Sequence, residues 1–334
     1  MPVLFAVVPF MRQLIGYAMS AIIIAAVALS FAPHYPAPWA VTRINPDRVQ
    51  VNALLVNGLQ LIAVGERGTV MTSSDSGLSW NIHPVAAGRN ATLTGVVALS
   101  PQVLVAVGHD GWILRSSDNG LSWREMHYDA ELGEPLLGVW SADGQNVVAY
   151  GSYGKYLESS DAGEHWTARE MPGEGAHFNG LDGGIDGRLM LVGEQGLVLR
   201  SSNGGRDWQS LTPFYNGSLF GVVRLSASRW VAYGMRGHVF TSADFGDTWY
   251  QVDIGSSQPI YGHALLPLQA GLVLVGAGSR LIRLDADGAL VDSSLRSGLG
   301  TLTSAVVLNA SHLLVAGERG VFQGADSSLA AVAQ

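Results

Sequence analysis

The chain has 334 residues, enough for one large or two ordinary domains, and only 14% of them are charged. Its net charge of −8, with no Lys/Arg-rich run, excludes a general nucleic-acid binder. The sequence has no cysteine, which excludes disulfides and thiolate metal sites.

The first predicted element is an apolar helix. Leu14 to Ala32 carries no charge, and a run of about 20 apolar residues can span a bilayer. Two interpretations stay open: an uncleaved anchor, which the length of the run favours, and a signal peptide cleaved at the A-x-A sequence of residues 26–28. Both send the remaining chain across the membrane and leave Arg12 inside. The predicted divisions are an anchor or signal segment (1–33), a short linker (34–38) and one domain (39–330).

Beyond the linker, the sequence repeats itself every 41 to 43 residues. Each repeat has an apolar run that ends in a glycine pair, such as VAVGHDG at 105–111. The first glycines of these pairs are Gly65, Gly108, Gly151, Gly193, Gly234, Gly276 and Gly317. The chain therefore contains seven repeats.

Each repeat reads as four short strands. In the second repeat, we predict strands at 94–99, 103–107, 112–116 and 122–126. Four strands in about 40 residues are typical of a propeller blade. The predicted fold is all-β, a seven-bladed β-propeller of four-stranded blades, preceded by one N-terminal transmembrane or signal helix.

Five repeats share an octapeptide, written SSDNGLSW at 116–123, between the third and fourth strands. Its Asp or Asn accepts backbone N–H bonds within a turn, its Gly permits a positive φ, and its Trp buries a large ring. We therefore predict a structural turn rather than five copies of an active site. The structural residues are Asp75, Trp80, Asp118, Trp123, Asp161, Trp166, Asn203, Trp208, Asp244 and Trp249.

The sixth and seventh repeats lack the octapeptide Trp, but Trp39 lies 41 residues before Trp80. We predict that residues 39–44 form the fourth strand of the seventh blade, so that Trp39 closes the ring and removes a free edge. The alternative is a linker strand without a partner.

The glycine-pair turns share one face of the predicted propeller with the loops between blades. Arginine precedes the second glycine in three of these turns, and arginine suits carboxylate pairing at interfaces. The candidate partner-binding residues are Arg67, Arg236, Arg319, Lys155, Arg280, His109 and Tyr153. The inter-blade loops are predicted to add aromatic residues, among them Phe220 and Tyr261. The alternative interpretation of this face is a solvated rim of mixed charge.

No motif indicates an enzyme. The candidate carboxylates of a glycosidase are Glu66, Asp110, Glu174, Glu194 and Glu318, which spacing alone cannot pair. The nine histidines show no H-x-H or H-E-x-x-H spacing, and no helix follows the glycine pairs to form a phosphate loop. We predict no catalytic residue, no metal and no cofactor.

The octapeptide resembles the Asp-box (BNR) repeat of sialidases and other propellers. Together with seven blades, Arg-bearing turns and an N-terminal export segment, residues 39–330 resemble the photosystem II stability/assembly factor-like propellers. That resemblance implies a non-enzymatic assembly factor that binds membrane-protein intermediates through an arginine patch. Arg67, Arg236 and Arg319 match the turn position, whereas the turns at 108–111, 151–154 and 193–196 carry Asp, Tyr and Gln.

Similar propellers accompany RND-type exporters in non-photosynthetic bacteria. We therefore expect a periplasmic accessory or assembly subunit, held in the inner membrane by one pass, that docks onto an integral membrane protein complex. An RND-type exporter is the favoured partner and a photosystem intermediate the second candidate. Release into the periplasm after cleavage is the alternative location. The alternative functions are a secreted glycan-binding or glycoside-cleaving Asp-box propeller and a purely structural envelope propeller.

Overall fold

A computed structural model describes residues 4–30, 48–85, 89–129, 131–173, 175–309 and 312–325. The chain divides into two units, Met1–Arg43 and Ile44–Gln334. The first unit holds helix α1 (Leu4–Ser30), whose side chains are exposed over residues 13–28. Within the described ranges, no helix combines the length and apolar character needed to cross a membrane. The anchor stays a prediction, and the linker and the closing strand at 39–44, with Trp39, lie outside the described residues.

The second unit consists of sheets whose strands follow one another in the chain. Blade 1 contains β1 (Val51–Asn57), β2 (Gln60–Gly65), β3 (Val70–Ser73) and β4 (Asn81–His83). Blade 2 contains β5 (Leu93–Ala98), β6 (Leu104–Gly108), β7 (Ile113–Ser116) and β8 (Arg124–His127). Blade 3 contains β9 (Leu136–Trp140), β10 (Val147–Gly151), β11 (Tyr156–Ser159) and β12 (Thr167–Ala168). Blade 4 contains β13 (Phe178–Gly183), β14 (Leu189–Gly193), β15 (Val198–Ser201) and β16 (Gln209–Ser210).

Blade 5 contains β17 (Leu219–Arg224), β18 (Trp230–Gly234), β19 (Val239–Ser242) and β20 (Tyr250–Val252). Blade 6 contains β21 (Ile260–Leu265), β22 (Leu272–Gly276), β23 (Arg280–Leu284) and β24 (Leu290–Leu295). Within the described residues, blade 7 contains β25 (Leu302–Asn309), β26 (His312–Gly317) and β27 (Gly320–Ala325). Short 3₁₀ turns are Glu66–Gly68, His109–Gly111, Ser152–Gly154, Glu194–Gly196, Met235–Gly237, Pro267–Gln269 and Ala277–Ser279.

The seven-bladed propeller of four-stranded antiparallel blades is confirmed, and the second blade shows how closely the strands were placed. Its first strand, predicted at 94–99, is Leu93–Ala98. Its fourth, predicted at 122–126, begins only at Arg124, because the octapeptide turn continues through Trp123.

The core lies between blades rather than inside any one of them. In β6, Leu104 and Ala106 pack in a cluster shared with blade 1, whereas Val105 and Val107 pack in a cluster shared with blade 3. Successive side chains of a strand point to opposite faces, so a second strand between two neighbours must be apolar on both. Across the described residues, one such cluster lies at each of the seven blade-to-blade interfaces, including the one that joins blade 7 to blade 1.

Every first strand also carries a β-bulge near its start, an extra residue that has no partner on the second strand. The bulge residues are Asn52, Thr94, Leu137, Asn179, Phe220, Tyr261 and Thr303. Four of them donate a side-chain hydrogen bond to a backbone carbonyl of the next blade, at 2.6–2.9 Å. One of these bonds crosses the ring closure, from Thr303 Oγ1 in blade 7 to the Val51 carbonyl in blade 1.

Replacing Thr303 with Val keeps the shape of the side chain and removes this closing bond. We expect the free energy of unfolding to fall by about 1 kcal/mol, the usual net value of one hydrogen bond. Urea unfolding followed by tryptophan fluorescence measures the change. Thr301→Val is the control, because the Thr301 hydroxyl makes no hydrogen bond within the described part of the chain. Equal stability of the two variants would contradict a role for the bulge bond.

Candidate functional site

The glycine-pair turns and the octapeptide turns lie on opposite faces of the ring. In all seven blades, the residue after the first glycine donates its N–H to the carbonyl just before the first strand of the same blade, at 2.8–3.2 Å. In blades 2 to 5, the octapeptide instead bonds to the turn between the first and second strands, as Asn119 N does to the Gln102 carbonyl. We call these surfaces the turn face and the box face.

The two glycines of a pair are required for different reasons. A Cβ on Gly65 would lie 2.0 Å from the Gln50 carbonyl oxygen, so the first glycine permits a close approach of two backbones. Gly68 has φ +65, a left-handed conformation that glycine adopts without strain.

The residue before the second glycine is also left-handed, although it is rarely glycine. Arg67, Asp110, Tyr153, Gln195 and Arg236 have φ between 54° and 57°. Non-glycine residues seldom adopt this conformation. Because the turn hydrogen bonds fix the backbone on both sides, side chains of unrelated chemistry occupy equivalent places in five consecutive blades.

Two of the three predicted arginines are free on the turn face. Arg67 and Arg236 are exposed and form no hydrogen bond or ion pair with the described residues. Arg319 is also exposed, and its Nη1 donates to the Gly298 carbonyl at 2.8 Å. Blade 7 packs directly against blade 1. Arg319 and Arg67 therefore belong to neighbouring blades, as the ring order predicted.

Lys155 is not exposed, although the sequence predicted it as a residue that contacts a partner. Its side chain is only 11% exposed, and Nζ bonds to Asp129 Oδ2 at 2.7 Å with Glu134 Oε2 at 3.6 Å. The hydrogen bond from Lys155 lowers the pKa of Asp129 to about 2. The ammonium is thus neutralised inside the protein, which does not favour Lys155 as a docking residue.

The remaining predicted residues differ in how accessible they are. His109 is exposed, and Tyr153 is 64% exposed with its ring edge-on to His177 at 4.7 Å. Arg280 is half-buried and donates from Nη1 to Ser293 Oγ at 3.0 Å. His109 and Tyr153 remain available to a partner on the turn face, whereas Arg280 is largely committed to its own blade.

Three of the candidate carboxylates have a structural task. Glu66, Glu194 and Glu318 each accept a hydrogen bond from a backbone N–H, at 3.1–3.5 Å. In each case the donor is the residue directly before the first strand of the same blade. Glu174 lies outside the described residues. This shared bonding favours turn stabilisation over catalysis for the three glutamates.

One carboxyl with a raised pKa lies between blades. Asp182 accepts the backbone N–H of Arg224 in the next blade at 2.8 Å and that of Gly183 at 2.7 Å. Burial raises its pKa to about 6 despite these bonds. Raised carboxyl pKa values often mark active sites, but here the bond from Arg224 N gives the carboxyl a role in holding blades 4 and 5 together.

The octapeptide is a self-contained hydrogen-bonded turn. Asp75 accepts from Ser79 N at 2.9 Å and Ser79 Oγ at 2.5 Å, and from Ser73 Oγ at 2.7 Å. The Ser79 hydroxyl bond is the largest cause that lowers the pKa of Asp75 to about 2. Gly77 has φ +84, as the sequence predicted, and Ser76 before it is also left-handed at 61°.

The fourth box reverses one hydrogen bond. In the other boxes the seventh residue donates to the Asp carboxylate, as Ser122 Oγ does to Asp118. Here Asn203 Nδ2 donates instead to Asp207 Oδ2 at 2.7 Å. The departure Asn203 is therefore matched by the acceptor Asp207 within the same turn.

The first strands surround a central channel with a cavity of about 220 Å³. Phe220 and Tyr261, assigned from the sequence to inter-blade loops, instead lie on β17 and β21 and line this channel. The assignment was wrong because a one-residue bulge leaves no mark on the apolar pattern of a short strand. Within the described residues, no group of three or more His, Asp or Glu side chains is placed to hold a metal ion.

The sequence matches a known protein family over most of its length. The family model for photosynthesis system II assembly factor YCF48 matches residues 34–288. No curated protein sequence matches the chain.

Solved structures match over most of the chain at low identity. A structure of YCF48 bound to a D1 peptide is 16% identical, with a TM-score of 0.68, covering 87% of this chain and 97% of its own. YCF48 from Cyanidioschyzon merolae is 15% identical, with a TM-score of 0.66, covering 84% and 96%. The WD40 β-propeller domain of Doa1 is 12% identical, with a TM-score of 0.68, covering 86% and 96%. At these identities the structural likeness establishes the fold alone.

Replacing Lys155 with Met should lower the free energy of unfolding by about 3 kcal/mol at pH 7, because two half-buried carboxylates lose their cation. The Asp129 pKa is lowered, so the stabilisation is complete above its ordinary value of 3.8 and is lost as the pH falls through about 2. The stability gap between wild type and variant should therefore narrow as the pH falls below about 4. Urea unfolding across this range measures it.

The control for Lys155 is Arg124→Met, which removes an exposed cation paired with Glu164. That change should cost less than about 1 kcal/mol. A Lys155→Met variant as stable as Arg124→Met would show that the buried pair contributes little.

Replacing Asn203 with Asp should destabilise the fourth box by about 1 kcal/mol, because two carboxylates then meet and one hydrogen bond is lost. Adding Asp207→Ser restores the donor found in the first two boxes and should return most of that stability. A double-mutant cycle of unfolding free energies measures the coupling. Additive effects of the two substitutions would contradict the exchange of donor and acceptor.

Proposed function

Because the chain belongs to the photosynthesis system II assembly factor YCF48 family, we propose that it is a non-enzymatic accessory or assembly subunit that binds a membrane protein through its turn face. One observation carries the choice of face. Arg67 and Arg236 are exposed without a partner in the described part of the chain, and Arg319 binds only a carbonyl.

Free guanidinium groups suit carboxylates, which they bind through two parallel hydrogen bonds. YCF48 has been solved bound to a D1 peptide, which supports a peptide segment of a membrane protein as the ligand of this chain. His109 and Tyr153 would add exposed ring surface to the same contact.

The finer identity of the partner rests on the sequence. We favour an RND-type exporter, and a photosystem intermediate is the second candidate. The apolar segment from Leu14 to Ala32 supports a single-pass inner-membrane anchor with the propeller in the periplasm, and cleavage into the periplasm is the alternative. Mass spectrometry of the mature N-terminus distinguishes an intact chain from one that begins near Leu29.

A glycan-binding or glycoside-cleaving propeller is the alternative function. The stacked rings of Phe220 and Tyr261 favour it, since sugars pack on aromatic rings. It is supported less well, because Glu66, Glu194 and Glu318 each bond to the backbone of their own blade.

The test is a pull-down of the tagged full-length chain from native membranes in mild detergent. Combined Arg67→Glu, Arg236→Glu and Arg319→Glu should reduce the co-purified membrane protein at least tenfold, because like charges then face the partner. Unfolding temperature should stay within a few degrees of wild type, because all three side chains are exposed.

The matched control is Arg124→Glu with Arg206→Glu, two exposed arginines of which the first follows the second octapeptide and the other lies within the fourth. This control should keep the partner. Loss of partner in the control alone, or full retention in the triple variant, would remove the turn face from the proposal.

A further inference from the structure

The wall of the central channel is not uniform around the ring. Among the seven bulge residues, four carry hydroxyl or amide groups that bond to the next blade and are thus occupied. In blades 5 and 6 the same position holds Phe220 and Tyr261. These two rings make no such bond and present aromatic surface to the channel instead.

The two rings form a stacked pair. Their centroids lie 5.4 Å apart and their planes differ by 17°. Phe220 is half-buried and Tyr261 is 39% exposed, and the Tyr261 hydroxyl has no hydrogen bond within the described residues. An exposed aromatic surface in the channel favours contact with an apolar group, because burial of that surface is favourable.

Arg236 lies in a turn that packs against the strand carrying one of these two rings. The turn Met235–Gly237 packs against β21, the strand that carries Tyr261. Leu219, next to Phe220, pairs with Gly234 at the start of the same turn. A free guanidinium and a stacked aromatic pair therefore lie on adjoining elements at one side of the channel mouth.

The channel wall next to the Phe220–Tyr261 pair is polar. Tyr233 Oη bonds to His263 Nδ1 at 2.7 Å, and an added Cβ on Gly221 would lie 2.2 Å from that hydroxyl. Gly221, the next residue along β17, thus faces a polar contact rather than open apolar surface. The Tyr233–His263 contact therefore bounds the aromatic surface on this side of the channel.

We propose that the channel mouth takes one apolar side chain of a bound peptide, stacked on Phe220 and Tyr261, while a carboxylate of that peptide pairs with Arg236. This rests on the proposed function of the turn face and defines its ligand. The ligand is an extended peptide in which an aromatic or large aliphatic residue stands within a residue or two of a carboxylate. Side-chain and C-terminal carboxylates share this chemistry.

A peptide fits the site better than a neutral sugar does. A neutral sugar would use the ring surface but leave the Arg236 guanidinium without an anion. A peptide carboxylate satisfies the guanidinium and the neighbouring apolar residue covers the rings. Both halves of the site are then used by one ligand.

The test is fluorescence anisotropy with three labelled hexapeptides and the full-length protein in detergent. The first ends in Phe-Asp-amide, the second in Ser-Asp-amide, and the third in Phe-Ser with a free carboxyl group. Wild type should bind the first at least tenfold more tightly than the second. Equal binding of the first and third peptides would show that the site accepts a side-chain or a C-terminal carboxylate. Tighter binding of one of them would show which of the two carboxylates the site prefers.

The variant is Phe220→Asn with Tyr261→Thr. Asparagine and threonine occupy the equivalent bulge of other blades, so the fold should tolerate them. This variant should bind the first two peptides within about threefold of each other. Tyr250→Leu is the matched control, because Tyr250 is 67% exposed on the outer strand of blade 5 and should leave the preference unchanged.

Three results would overturn the channel site. They are equal wild-type binding of the first two peptides, an unchanged preference in the double variant, and displacement of the peptide by a neutral oligosaccharide such as maltotetraose. If no peptide binds but the triple arginine variant still loses its membrane partner, the channel site fails while the proposed function stands. If the triple variant keeps its partner, the proposed function fails independently.

Discussion

Each blade depends on its neighbours because its second strand is apolar on both faces. Leu104 and Ala106 face one neighbouring blade, and Val105 and Val107 face the other. A blade taken alone would expose both of these apolar faces to water, at a cost of roughly 25 cal/mol for each Å². Only a closed ring buries it everywhere. The cluster of Val51, Leu61, Leu314 and Ala316, which joins the ends of the ring, is therefore as necessary as any other.

This division of labour separates stability from recognition. Apolar contacts between blades, bulge bonds and Asp boxes hold the ring together, and each uses groups of its own. The exposed side chains of the turn face contribute little to that burial. Arg67 and Arg236 remain free there, while Lys155, on the same face in the sequence, is enclosed by carboxylates from the preceding segment. A cationic residue in or next to a glycine-pair turn is therefore not always exposed and available to a binding partner.

The repeat made the fold predictable, because seven copies of one pattern average out local ambiguity. Glycine spacing located each turn, and the octapeptide located the outer strand pair. What the sequence did not reveal depends on single residues and on distant partners. A bulge shifts the pairing by one position without changing the apolar pattern, so Phe220 and Tyr261 were assigned to loops. Asp129 and Glu134 lie more than twenty residues before Lys155, and only the fold brings their charges together. The left-handed residue of the turns in blades 1 to 5 was hidden because arginine, aspartate, tyrosine and glutamine occupy it.

That left-handed position has an evolutionary consequence. Arginine, aspartate, tyrosine and glutamine all bear the strain of a positive φ there, which is on the order of 1 kcal/mol. Exchanging one for another therefore changes the surface chemistry of the turn face while leaving the folding energy almost unaltered. The ring presents these side chains at regular intervals, and the backbone of the turn is the same whichever side chain it carries. Such a surface can acquire a new partner through a few point substitutions, without passing through an unstable intermediate sequence.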